Sequence, residues 1–163
     1  MVILGLCGLL VPDFSVGDSL VYAEIVDAQG ASLVLDEALA RELSAVAQRG
    51  GIRAFASDAL VATPAAKSAL AERYDAQVVD MESFVLARSL QAAGVTCGVL
   101  RVASDGAADE LPDLSAALDP SGDLNGPRAA RAFVRRPLAG ARLAFNALRA
   151  LRALERVVQR LLD

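Results

Sequence analysis

The stretches QVVDME at residues 77–82 and GVLRVASD at residues 98–105 decide the predicted fold. Each is a short apolar run that ends in carboxylates, and the residues between them form one amphipathic helix of about a dozen residues. This spacing is typical of a right-handed crossover between two parallel strands. Because ligands bind at the carboxyl ends of strands in open α/β sheets, we expect Glu82 and Asp105 to line one pocket.

The chain around these two stretches alternates short strands and helices. The predicted strands cover residues 1–4, 19–26, 31–35, 52–56, 77–80 and 96–103, and the predicted helices cover residues 36–48, 63–74, 82–93, 127–134 and 138–162. Residues 105–123 are rich in Asp, Gly and Pro and are predicted to form a loop that covers a pocket. This alternation predicts an α/β fold of three layers, in which helices flank a mixed sheet.

Capping residues mark several helix boundaries. Asp36 is expected to accept hydrogen bonds from the first free amides of one helix, and the glycine pair at 50–51 to end that helix. The Thr-Pro pair at 63–64 starts the next helix, with proline at the first helical position, where no amide hydrogen is needed. Gly94 is expected to stop the helix that lies between the two carboxylate-ending stretches.

Length and hydropathy indicate one globular domain. The 163 residues are divided into an α/β body at residues 1–126 and a basic helical extension of the same domain at residues 127–163. The hydrophobic share is 55%, yet no apolar run reaches the roughly 18 residues of a membrane span. Residues 1–11 lack the basic region and the cleavage site of a signal peptide, so we expect a cytoplasmic protein.

The scarcity of certain side chains narrows the chemistry. The chain has only Cys7 and Cys97 and no histidine. This excludes a disulfide framework, histidine zinc sites, Ser-His-Asp triads and Cys-His dyads, so no metal is expected. Any acid/base catalysis must fall to carboxylates. Such chemistry suits glycosidic bond cleavage, in which anions stabilise the positive charge that develops on the sugar and the leaving group needs a proton.

Charge is distributed unevenly along the chain. Residues 1–120 carry 7 basic and 17 acidic side chains, a balance of −10, and residues 121–163 carry 9 arginines and 3 acids, a balance of +6. The acidic body argues against nucleic-acid binding. In the last predicted helix, a basic face (Arg142, Arg149, Arg152, Arg156, Arg160) accompanies an apolar stripe (Phe145, Leu148, Leu151, Leu154, Val158, Leu161). Such a helix packs on the sheet or on a partner subunit, or attaches to an anionic membrane surface.

The motifs in the two carboxylate-ending stretches resemble a known family. The pair Met81-Glu82 opens a helix and is followed by an apolar strand that runs into Arg101-x-x-Ser104-Asp105. This arrangement resembles the nucleoside phosphorylase and nucleosidase superfamily, which includes the methylthioadenosine/S-adenosylhomocysteine nucleosidases. The resemblance implies a phosphorylase-like mixed sheet with flanking helices.

Further motifs follow in the order that the family has them. GLCGL at residues 5–9, with VGD at residues 16–18 running into a strand, is similar to the family's glycine loop and the strand after it. SDALV at residues 57–61 falls where the family has its base-contacting loop. LDPSG at residues 118–122, RRP at residues 135–137 and the Arg/Leu-rich helix look most like the hopanoid-associated phosphorylase branch.

The resemblance implies roles for three residues at the sugar and base. Asp105 would lie against the purine and supply a proton at its imidazole nitrogen, which makes the base a better leaving group. Glu82 would accept hydrogen bonds from vicinal ribose hydroxyls, and Met81 would pack against the apolar face of the sugar. Without the resemblance, Asp105 is explained as a cap or turn aspartate, Glu82 as a first-turn acid favoured by the helix dipole, and Met81 as a core residue.

The remaining base contacts would come from two loop residues and one strand residue. Leu60 and Val61 stand where family members present an aromatic side chain and a backbone group to the purine. Because the aromatic ring is absent here, weaker aliphatic contact would replace stacking. Ser104 would orient Asp105 or donate toward the base. The alternatives are a strand edge in the core for the loop pair and no special role for the serine.

Four residues are assigned to the side of the attacking water or phosphate. In the family, the turn corresponding to Gly5, Cys7 and Gly8 lies beside the ribose and the attacking group, and Cys7 stands where a small residue is common. Its backbone amides would face the ligand. Arg101 lies in an apolar strand, where an unpaired guanidinium is costly, so we expect it to pair with a carboxylate such as Glu82 or to bind a phosphate.

The resulting functional hypothesis is cleavage of the N-glycosidic bond of an adenosine-type purine nucleoside, by hydrolysis or phosphorolysis. The hopanoid branch would make the substrate an adenosylated lipid. We expect no cofactor, inorganic phosphate as a possible co-substrate, a small-molecule nucleoside ligand, a homodimer and no nucleic-acid partner. The family's first strands, with their phosphate-binding or water-activating turn, have no counterpart before the glycine loop. Three explanations are open: the start is truncated, a second chain supplies the missing parts, or the protein is no longer a normal catalyst. The alternative function is a non-catalytic remnant that binds a nucleoside or dimerises.

Overall fold

The structure is a computed structural model that describes residues 1–112 and 137–162. The helix predicted at residues 127–134 and most of the loop predicted at residues 105–123 lie outside the described residues. The described strands are β1 (Val2–Leu9), β2 (Ser19–Val26), β3 (Ser32–Val34), β4 (Arg49–Ala56), β5 (Val78–Asp80) and β6 (Gly98–Asp105). The described helices are α1 (Glu37–Ser44), α2 (Pro64–Tyr74), α3 (Ser83–Ala92) and α4 (Pro137–Leu162).

The strands form one mixed sheet, which confirms the predicted α/β class. The strand order is β3-β2-β4-β5-β1-β6, and an additional pairing of β2 with β6 closes the sheet into a ring. Strands β2, β4 and β5 are parallel to one another, as are β1 and β6. The β1–β5, β2–β6 and β2–β3 pairs are antiparallel.

The predicted parallel crossover between β5 and β6 is wrong. Strand β1 lies between them, antiparallel to β5 and parallel to β6. The two carboxylate-ending strands therefore run in opposite directions and do not share a carboxyl edge. They still meet, because three-residue β5 lies beside the carboxyl-terminal end of β1, where Gly8 pairs with both Val79 and Asp105.

The predicted helix caps agree with the structure. Asp36 Oδ1 accepts the amide of Leu39 at 2.8 Å, and Thr63 Oγ1 accepts the amide of Ala66 at 3.2 Å. Gly94 follows α3 with a φ of 72°, a left-handed conformation that glycine adopts without strain. These boundaries depend on neighbours a few residues away, so the local sequence specifies them.

Two glycine-containing segments lie inside strands, although one was predicted as a loop after the first strand and the other as the end of a helix. The first, residues 5–8, belongs to β1, and the second, residues 50–51, belongs to β4. Helix α1 ends at Ser44, four residues earlier than predicted. The physical reason is a contact with β2, since the side chain of Gln48 accepts the Ser19 amide at 2.8 Å and holds the chain away from the helix.

Helix α4 packs on the sheet with a face that includes only part of the predicted stripe. Among its described side chains, the buried hydrophobic ones are Ala150, Ala153 and Val157, and Leu154 and Leu161 of the stripe pack beside them partly buried. The small buried side chains let the helix approach β6 and β2 closely. Phe145 is 68% exposed, and Leu148 and Leu151 are also more than half exposed. Within the described parts of the chain, no helix is long and apolar enough to cross a membrane.

Candidate active site

One open pocket of about 350 Å³ lies over the middle of β1. Its volume falls within the roughly 300–1,000 Å³ that is usual for small-molecule sites. Every residue that the sequence analysis assigned to the site lines this pocket: Gly5, Cys7, Gly8, Leu60, Val61, Met81, Glu82, Arg101, Ser104 and Asp105. The structure brings these residues together, whereas the roles assigned to them remain predictions.

Asp105 forms the buried end of the pocket at the last position of β6. Asp105 is only 6% exposed. Ser104 Oγ lies 2.9 Å from Asp105 Oδ1 and 3.1 Å from the carbonyl oxygen of Cys7, so its one hydroxyl proton has an acceptor on the carboxylate and another on strand β1. Of the two roles considered for Ser104, this contact favours the orientation of Asp105.

Lys67 completes the surroundings of Asp105, and the sequence analysis missed it. Its side chain on α2 has no exposed surface, and Nζ donates to Asp105 Oδ2 at 2.5 Å. Nζ also donates to the carbonyl oxygens of Gly106 at 2.7 Å and Asp109 at 3.5 Å. A sequence signal existed, because Lys67 is the only lysine of the chain and stands in an alanine-rich helix.

The two glycines of β1 leave room for charged side chains of β6. Gly5 pairs in register with Arg101, and Gly8 pairs with Asp105. A Cβ at Gly5 would overlap the Arg101 guanidinium, and one at Gly8 would lie 2.9 Å from Asp105 Oδ2. The predicted turn is therefore wrong, since these glycines sit in a paired strand and permit close approach of side chains. The contact of their backbone amides with a ligand stays a prediction.

Arg101 is a buried cation with incomplete hydrogen bonding. Its side chain is 3% exposed, with Nε 3.5 Å from Asp80 Oδ2 and Nη1 3.8 Å from Glu82 Oε2. Nε and Nη2 have no hydrogen-bond partner. A buried guanidinium with unpaired donors is costly, so the pocket favours an additional anionic or oxygen-rich group beside Arg101.

Asp80 connects the pocket to the start of α3. Its Oδ1 accepts the amides of Glu82 at 3.0 Å and Ser83 at 2.9 Å, and its Oδ2 accepts the hydroxyl of Tyr22 at 3.0 Å. Asp80 thus caps the start of α3 and also provides the nearest counter-charge to Arg101. The same carboxylate fixes Glu82 at the pocket entrance.

The rim of the pocket is formed by connections between elements. Met81 and Glu82 lie in the short link from β5 to α3, and Leu60 and Val61 lie between β4 and α2. Met81 is 47% exposed and the Glu82 side chain 70% exposed, so both are accessible to a ligand. The alternative of Met81 as a core residue is excluded by this exposure.

Cys7 is a neutral thiol at the pocket floor. Burial raises the pKa of the Cys7 thiol far above its ordinary range, and the nearby Asp80 and Asp105 add to this effect. Because the thiolate is the reactive form, Cys7 is not an activated nucleophile. Among the described residues, no group of acids and cysteines is placed to hold a metal ion.

Comparison with known proteins identifies the family. A model of the phosphorylase superfamily matches residues 1–136, so the chain belongs to this superfamily. Phosphorylases and nucleosidases of this superfamily need no cofactor. No curated protein matches the chain.

Several solved structures share the fold. The native futalosine hydrolase of Helicobacter pylori strain 26695 has a TM-score of 0.63 and 23% identity, with 98% of this chain and 67% of that chain covered. A 5'-methylthioadenosine/S-adenosyl homocysteine nucleosidase from Helicobacter pylori has a TM-score of 0.62 and 20% identity, with the same coverage. The Campylobacter jejuni nucleosidase has a TM-score of 0.62 and 17% identity, with 91% of this chain and 67% of that chain covered.

Proposed function

We propose that this protein cleaves the N-glycosidic bond of an adenosine-type purine nucleoside. The observation that carries the proposal is that buried Asp105 and accessible Glu82 line the same pocket. It is supported by membership of the phosphorylase superfamily and by likeness to nucleosidase structures. An adenosylated hopanoid lipid is the finer substrate hypothesis, and it rests on the resemblance of the C-terminal motifs.

In this proposal the pocket binds the two halves of the nucleoside differently. Glu82 accepts the ribose hydroxyls at the rim, Met81 packs on the sugar, and Leu60 and Val61 contact the base. Asp105 donates a proton to the base as the bond to the sugar breaks, which stabilises the leaving group. The anionic Glu82 also stabilises the positive charge that develops on the sugar.

In this proposal Arg101 lies on the attacking side of the pocket, where the nucleophile is either water or phosphate. Its Nε and Nη2 donors, which lack protein partners, suit the oxygens of a phosphate ion. Phosphorolysis would yield ribose 1-phosphate, and hydrolysis would yield ribose. Product analysis with and without phosphate therefore separates the two reactions directly.

The first test is release of adenine from adenosine by the purified protein, followed by chromatography. Glu82→Gln should lower kcat/KM by roughly 10- to 100-fold, because a charge-assisted hydrogen bond contributes about 1.5–3 kcal/mol. The loss should shrink with 2′,3′-dideoxyadenosine, which lacks both hydroxyls. Glu72→Gln, at an exposed position of α2, is the control and should match the wild type.

One result would contradict the catalytic proposal, and another would contradict the role of Glu82. The first is absence of adenine release by the wild-type protein with and without phosphate. If that protein still binds adenosine in a calorimetric titration, the non-catalytic binding module becomes the better description. The second is an equal effect of Glu82→Gln on adenosine and on the dideoxy analogue, which would remove Glu82 from ribose binding.

We also propose that the protein is a cytoplasmic homodimer that contacts membranes through α4. The exposed residues Phe145, Leu148 and Leu151, with the nearby Arg149 and Arg152, form a surface with both apolar and cationic groups. Sedimentation of the protein without vesicles should show a dimer. The protein should also co-sediment with anionic vesicles at low salt. Replacing Leu148 and Leu151 with serine should weaken the vesicle binding, and neutral vesicles should not bind. A monomer in sedimentation would reject the homodimer. Absence of binding to anionic vesicles would reject the membrane contact.

A further inference from the structure

Lys67 is unusual in both composition and position. The chain has 15 arginines and this single lysine. The lysine is fully buried, and its ammonium donates to one carboxylate, that of Asp105, and to the carbonyl oxygens of Gly106 and Asp109. These three acceptors satisfy the hydrogen-bonding capacity of the ammonium group, which is the condition for burying such a charge.

The two ends of this ion pair face different surroundings. Asp105 lines the pocket, whereas Lys67 does not and has no contact with solvent. Among the described residues, Asp105 is the one titratable side chain that hydrogen-bonds to Lys67. Asp105 therefore stands between Lys67 and any molecule in the pocket, so a proton that leaves Lys67 reaches the ligand through Asp105.

Lysine differs from arginine in a way that matters at this position. Either cation would stabilise a carboxylate, but a guanidinium does not release its proton in a protein, whereas an ammonium does so readily when buried. In a chain whose other basic side chains are all arginines, the one basic side chain able to give up a proton contacts the proposed acid. Charge compensation alone does not require this chemistry.

We propose that Lys67 is the proton source behind Asp105, an inference that rests on the proposed function. As the N-glycosidic bond breaks, its electron pair moves to the base. The Asp105 carboxylate takes a proton from Lys67 Nζ, which is left as a neutral amine, and passes that proton to a ring nitrogen of the base, so Asp105 is again a carboxylate. Water or phosphate forms the new bond to the sugar carbon, and attacking water releases one proton to solvent. After the products leave, the amine regains a proton from solvent through Asp105.

The test compares two leaving groups in Lys67→Met. Adenine needs a proton to leave, whereas the nitrophenolate of 4-nitrophenyl β-D-ribofuranoside leaves without one. Because acid catalysis contributes 100-fold or more, kcat with adenosine should fall by about 100-fold, while kcat with the nitrophenyl riboside should change by less than about threefold. KM for adenosine should be nearly unchanged, because Lys67 does not line the pocket. Arg73→Met, which removes an exposed cation from the same helix, should leave both rates unaltered.

Lys67→Arg separates proton supply from charge compensation. This variant keeps a cation beside Asp105 but removes the transferable proton. As in Lys67→Met, its kcat should therefore fall with adenosine and not with the nitrophenyl riboside. Near-wild-type adenosine turnover by Lys67→Arg would overturn the proposal. An equal loss of both substrates by Lys67→Met would also overturn it, because Lys67 would then only maintain the shape of the pocket.

Failure of the proposed function gives a different result. In that case the wild-type protein itself turns over neither adenosine nor the nitrophenyl riboside, and the proton relay falls with the reaction. A wild-type protein that cleaves both substrates, together with a variant affected equally on both, rejects the role of Lys67 alone.

Discussion

Asp105→Asn should reduce adenine release from adenosine by about 100- to 10,000-fold, which is the usual contribution of a general acid. The asparagine side chain has nearly the same shape, but its amide has no acidic proton to donate. The substitution should affect kcat more than KM, because the lost interaction belongs to the transition state. Asp75→Asn is a matched control, since Asp75 is exposed at the end of α2 with a φ of 51°, which asparagine tolerates.

Stability must be measured beside activity in this variant. Asparagine leaves the buried Lys67 ammonium without a counter-charge, and removal of one partner from a buried pair costs about 3–5 kcal/mol. The double variant Lys67→Met/Asp105→Asn removes both charges and should recover part of the urea stability without recovering activity. Wild-type turnover by folded Asp105→Asn would exclude Asp105 as the acid.

Asp80→Asn should lower the free energy of unfolding by about 3–5 kcal/mol, the same large loss that we expect for Asp105→Asn. Among the described residues, the ion-pair partner left to the buried Arg101 guanidinium would be Glu82, which is 3.8 Å away and solvent-exposed. Asparagine keeps an oxygen for the amides of Glu82 and Ser83, so the loss would reflect charge rather than the helix cap. Urea denaturation followed by circular dichroism measures the change.

The matched control for Asp80→Asn is a shorter but more exposed ion pair. Glu24 Oε2 lies 2.8 Å from Arg53 Nη1, with the two side chains 25% and 37% exposed. Solvent screens this pair, so Glu24→Gln should cost less than about 1 kcal/mol. If the two substitutions have the same effect, burial of Arg101 does not determine the stability of the site.

Sequence reasoning succeeded where the information is local. The caps at Asp36 and Thr63 act within three residues, and the Gly94 stop requires only the conformation of that glycine. The motifs around Met81-Glu82 and Ser104-Asp105 carried enough family information to select residues that share a pocket. Each of these predictions depends on neighbours along the chain.

It failed where distant strands determine the structure. A run of glycines is typical of a turn, but Gly5 and Gly8 are required by the bulk of Arg101 and Asp105, which lie almost a hundred positions later. The direction of β5 relative to β6 is likewise set by pairing with β1, which neither strand's own sequence specifies. The Lys67–Asp105 contact crosses 38 positions and has no local periodicity to signal it.

The described pocket divides into a floor on paired strands and a rim on connections. Arg101 and Asp105 are fixed by strand pairing and by neighbouring charges, whereas Leu60 and Met81 lie on links that tolerate substitution more readily. We therefore expect substrate range and chemical step to evolve separately. In the proposed reaction, replacements at the rim would admit a bulkier or a differently shaped nucleoside while Lys67 and Asp105 keep their positions, which makes the rim the place to redesign selectivity.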